Sequence, residues 1–131
     1  MSSQEQRVTW SADGSSSIRS ITELDRLLDK LEEEHGPKNP IILIVDGPGQ
    51  ESVYVGVGGD MSFVSGTEEP YLTTVSEDSA GGEIEYLFQG HHSPVARKQL
   101  IPKDLARKII REFFVTGVLP SWQTWTPIGP E

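Results

Sequence analysis

Apolar side chains at Ile21, Leu24, Leu28 and Leu31, with Leu27 beside them, recur at the spacing that lays one stripe along an α-helix. In front of them Ser20, Ile21, Thr22 and Glu23 read as a capping box, where hydroxyl and carboxylate each satisfy a backbone donor of the helix start. Glu32, Glu33 and Glu34 run against the helix dipole, and Gly36 and Pro37 stop the helix. Residues 41–45 form a continuous apolar run rich in β-branched side chains, the pattern of a strand buried on both faces. Turn chemistry follows at Asp46, Gly47, Pro48 and Gly49. Val53, Val55 and Val57 then alternate with Ser52, Tyr54 and Gly56, a period of two that predicts a strand with one face inward. Residues 61–65 read as its partner and residues 71–75 as the next strand. In residues 83–88 the side chains of Ile84, Tyr86 and Phe88 share one face, and Glu83 and Glu85 the other.

A second helical stripe, Leu105, Ala106, Ile109, Ile110 and Phe113, follows Pro102, with Lys103, Arg107, Lys108 and Arg111 on the opposite side and Gly117 as terminator. The tail, residues 121–126, reads as a strand that sets Trp122 and Trp125 on opposite faces, one toward the core and one at a rim. Residues 7–10 predict a short strand and the Ser-rich residues 11–17 a flexible loop. The expectation is an α+β fold: a single antiparallel, meander-like β-sheet packed by two principal α-helices. Residues 17–131 are expected to form one domain, with residues 1–16 as an N-terminal segment.

Size and composition fit this picture. A chain of 131 residues, 35% hydrophobic, is long enough for one compact core and too short for two ordinary domains. With no cysteine, disulfides, thiolate metal sites and cysteine nucleophiles are excluded. The first 17 residues lack the apolar core of a signal peptide, and no apolar run approaches the roughly 18 residues of a membrane span. A soluble, cytoplasmic protein with no membrane partner is expected.

Charge changes the picture more. The net charge of −9 argues against a nucleic-acid binder. Between residues 39 and 96 there is no lysine or arginine, but nine acids: Asp46, Glu51, Asp60, Glu68, Glu69, Glu77, Asp78, Glu83 and Glu85. The remainder holds eleven acids and eleven bases, so all excess negative charge belongs to the middle of the chain. A one-sign field of this kind steers a basic partner at long range.

Candidate chemistry is sparse. Gly56, Gly58, Gly59 and Asp60 invite comparison with phosphate-binding loops, yet they lead into another strand where a phosphate site needs a helix N-terminus. A sharp corner between strands accounts for them. His91 and His92 lie between Gly90 and Pro94, which predicts a solvated loop and no metal site. No nucleophile elbow occurs, and the carboxylate runs lie beside glycine and serine, which reads as exposed surface and not as the apolar pocket a catalytic acid needs. No catalytic, cofactor or metal residues are assigned.

The helix "ITELDRLLDKL", the hairpin "VYVGVGGDMSFV", the segment "YLTTV" and the C-terminal "LIPKDLARKIIREFFVTGVLPSWQTW" resemble the Imm1 family of bacterial immunity proteins in order and spacing, from about Ser17 to Thr126. The resemblance implies a cognate inhibitor that binds and neutralises a bacterial toxin domain, often a nucleic-acid deaminase, with no chemistry of its own. An acidic surface is a sensible plug for the basic groove such a toxin needs. The expected toxin-facing residues are Asp60, Glu68, Glu69, Tyr71, Glu77, Asp78 and Trp122, the aromatics as anchors. Two alternatives stay open: a small-molecule-binding enzyme or sensor using the Gly56 to Asp60 corner with His91 and His92, and a non-inhibitory adaptor for a basic protein.

Overall fold

The computed structural model describes residues 6–11, 14–36, 39–49, 51–68, 71–76 and 81–127. The elements run β1 (Gln6–Thr9), β2 (Ser15–Ile18), α1 (Ile21–His35), β3 (Ile41–Asp46), β4 (Ser52–Val57), β5 (Met61–Ser62), β6 (Val64–Gly66), β7 (Leu72–Thr74), β8 (Glu83–Phe88), β9 (His91–Ala96), a 3₁₀ turn (Arg97–Gln99), β10 (Ile101–Pro102), α2 (Lys103–Thr116) and β11 (Trp125–Pro127). One sheet has the order β11-β7-β6-β4-β3-β1-β2, and β5 pairs with β10 in a separate two-stranded ribbon. The α+β architecture expected from the sequence is found. No helix among the described residues is long and apolar enough to cross a membrane.

Both helices cover one face of the sheet. Leu24, Leu28 and Leu31 of α1 and Ala106, Ile109, Ile110, Phe113 and Phe114 of α2 meet Ile41, Leu43 and Val45 of β3 and Val53, Val55 and Val57 of β4 in the main core. The pleat turns Ile42 to the opposite face, where it joins Phe63, Tyr86, Val95 and Leu100 in a second, smaller cluster. Helix ends follow the sequence. The Ser20 hydroxyl accepts from the Glu23 N–H at 3.1 Å, while the Glu23 carboxylate takes the Arg19 N–H at 2.9 Å, one residue earlier than a capping box prescribes. Gly117 ends α2 in the left-handed conformation (φ 75°), its N–H donating to Phe113 O at 2.7 Å.

Four expectations change. Residues 15–17 of the Ser-rich segment 11–17, expected as loop, fall in β2, held in register against β1 from Gln6↔Ile18 to Thr9↔Ser15. Trp10 N–H donates to Gly14 O at 2.9 Å, and β1 lies inside the sheet between β2 and β3. His91 and His92, also expected in a loop, open strand β9. Gln89 and Gly90 both have positive φ (51° and 87°), which matches the tight turn of a hairpin, and Pro94 is tolerated because β9 is an edge strand. The meander stops at β7: β8 leaves it and joins β3 by one parallel bridge, Ile41↔Leu87. Finally, only Trp125–Pro127 of the tail is strand, paired to β7, and Trp122 sits in the preceding turn.

Candidate functional site

The glycine corner is packed from within. A Cβ on Gly56 would lie 2.7 Å from the Tyr86 ring and 2.9 Å from Phe63, whose rings meet edge to face at 5.4 Å. Gly58 has φ +134°, and a Cβ there would lie 2.6 Å from Gly36 O and 2.7 Å from Pro40 Cα. Both positions are glycine because backbone or aromatic ring already fills the space. Asp29, Glu32, Glu33 and Asp60 line the hollow beside the corner with Lys103, and even with Arg107 paired to Asp29 and Glu32 the acids outnumber the bases, so the field repels phosphate.

Three of the four bases of α2 are spent on α1. Lys103, Arg107 and Arg111 recur every four residues and face Asp25, Asp29 and Glu32. Arg107 bonds Glu32 at 2.8 Å and Asp29 at 3.1 Å, and Arg111 meets Asp25 at 2.9 Å. Burial pulls the Arg107 guanidinium down, but the hydrogen bonds and charges of Glu32 and Asp29 outweigh it and hold the group above its ordinary range. The helical face is therefore neutralised within the fold.

The middle of the chain differs. Among the described residues, Glu51, Asp60, Glu68 and Glu83 have no ion-pair partner, and Asp60 and Glu68 are exposed. These two do not share a patch. The Asp60 carbonyl accepts from the Lys103 N–H at 3.0 Å, at the start of α2, whereas Glu68 lines a hollow with Glu51, Phe113 and Gly117 at its end. Tyr71, 44% exposed with φ 53°, stands next to Glu68, its N–H donating to Glu68 O at 2.8 Å. Glu69, Glu77 and Asp78 lie outside the described residues.

Trp122 is 46% exposed and fixed against α2. Its indole N–H donates to a Glu112 carboxylate oxygen at 3.0 Å, and the Lys108 ammonium sits 4.9 Å from the ring centre. It borders a groove of about 530 Å³ with Met61, Leu100, Pro102 and Leu105, which the sequence reading did not foresee. His92 pairs with Glu85 at 3.2 Å across the β8–β9 hairpin, on largely exposed side chains. Among the described residues, no three histidines or carboxylates converge as a metal site.

A search of curated proteins finds no match to this sequence. The family model described as Immunity protein Imm1 matches residues 12–127 and takes in every element from β2 to β11. By that match the chain belongs to the Imm1 family of immunity proteins, whose role is toxin immunity with a cognate toxin as partner.

Proposed function

We propose that this protein binds its cognate toxin domain in the cytoplasm and neutralises it by covering the substrate site, and that this toxin is a basic, nucleic-acid-acting enzyme of the deaminase class. The charge distribution carries the proposal. Residues 39–96 hold nine acids and no lysine or arginine, while Lys103, Arg107 and Arg111 of α2 are engaged with α1. A toxin that grips DNA or RNA presents a basic channel, and an acid-rich surface competes for it by the same attraction that phosphate uses. A deaminase needs its target base seated in a pocket beside a metal-activated water. An inhibitor need only keep the base out.

Asp60, Glu68, Glu69, Glu77 and Asp78 are the residues proposed to face the toxin, with Tyr71 and Trp122 as apolar anchors. Asp60 and Glu68 bracket α2, a helix of 14 residues or about 21 Å, and a surface engaging both spans a standard protein–protein interface. The test is a titration of the protein into its cognate toxin domain, following deaminase activity on nucleic acid. Loss of activity at one equivalent is expected. Activity that persists at saturating protein would overturn the proposal, and tight binding with full activity would mark an adaptor.

A further inference from the structure

The two helices end in the same electrostatic difficulty, and only one of them is relieved within the chain. A helix C-terminus carries partial negative charge and favours a cation. The end of α1 bears Glu32, and α2 supplies Lys103 at 3.6 Å and Arg107 at 2.8 Å to meet it. The end of α2 receives nothing comparable. Its last turn holds no basic residue, and Glu51 stands against its cap: a Cβ on Gly117 would lie 2.8 Å from the Glu51 carboxylate carbon. Oε1 of Glu51 takes the Gly49 N–H at 2.5 Å, while Oε2 accepts from no donor among the described residues. Glu68, exposed, adds a second carboxylate, and neither acid has an ion-pair partner among the described residues.

Both acids line one cleft of about 200 Å³, whose walls include Leu72, Phe113 and Leu119 and, among the described residues, no lysine or arginine. The walls tell which cation fits. A bare divalent ion asks for about six oxygen ligands and has no use for apolar walls. An arginine or lysine lays its methylene stem along apolar surface and keeps its charged head at the carboxylates. We infer that this cleft takes one arginine or lysine side chain of the toxin, which brings to the end of α2 the cation that Lys103 and Arg107 bring to the end of α1. This rests on the toxin-binding function proposed above.

The test measures dissociation of the cognate toxin domain from wild type, Glu51→Gln, Glu68→Gln and the double variant, with thermal melting of each free protein. Each single variant is expected to release the toxin about 10–100-fold faster while melting at or above the wild-type temperature, since a charge opposed to the helix end is removed. The double variant is expected to add little to the larger single effect, because both carboxylates meet one side chain. Fully additive effects would overturn the shared cation. Wild-type dissociation rates in both single variants, with inhibition intact, would overturn the cleft and leave the inhibitor function standing. A wild-type protein that fails to bind the toxin would overturn both proposals. If Glu51→Gln fails to fold, Glu68→Gln decides the matter by itself, and a wild-type rate there would overturn the cleft.

Discussion

On the helical face, Asp25, Asp29 and Glu32 of α1 meet Lys103, Arg107 and Arg111 of α2 at 2.8–3.6 Å, whereas Glu51, Asp60, Glu68 and Glu83 in the middle of the chain meet no cation among the described residues. The helix acids help to lock two helices in register over the sheet. The mid-chain acids build no such ladder, although Glu51 takes the Gly49 N–H within its own turn and Glu85 pairs with His92, and their mutual repulsion opposes folding. What holds the middle of the chain is apolar packing around glycine: the Phe63–Tyr86 ring pair over Gly56, and the close approach of Gly36 and Pro40 to Gly58. Charge in one region serves the fold, and in the other it is free to act on a partner.

The sharpest way to break the second region is Gly58→Ala. The new Cβ would meet backbone at 2.6 Å and demand a left-handed φ, so a loss of about 3 kcal/mol is expected in urea unfolding. Tyr86 gives a gentler test. Burial pushes its phenol up from 10.0 to about 12. The stability this neutral group contributes is whole below pH 10 and is lost as pH rises toward about 12, an effect of about 2 kcal/mol. Tyr86→Phe, which keeps the ring, should flatten stability across that window, as read from urea midpoints between pH 10 and 12. Arg107→Ala probes the first region. It should cost about 1.5 kcal/mol at low ionic strength and less in 1 M salt, because its partners are partly exposed. Gly58→Ala should show no such salt dependence.

Much of this contrast was legible before any coordinates. The stripes of α1 and α2, the buried run of β3, the alternation of β4 and the stop at Gly117 are local signals, and the structure follows them. The base-free middle of the chain was a simple count. Elements without a local signal were missed. Ser15–Ile18 carries no apolar alternation and becomes a strand only because β1 offers a register. Pro94 spoke against a strand at His91–Ala96, yet an edge position makes it harmless. The interhelical ladder shows in each helix as four-residue spacing, but only packing pairs Arg107 with Glu32, 75 residues away. The groove was least legible, since Met61, Leu100, Leu105 and Trp122 converge only in three dimensions. Trp122 was singled out by residue type, and nothing near it in sequence announces its contacts with Glu112 and Lys108.

The central claim is that the unpaired acids act on a partner, and the association rate with the toxin domain, measured against ionic strength, tests it most directly. Asp60→Lys and Glu68→Lys lie on exposed carboxylates, so each should leave stability within about 0.5 kcal/mol. Combined, they should slow association about 10-fold at low salt and reduce its salt dependence. An association rate and salt slope equal to those of the wild type would contradict the account.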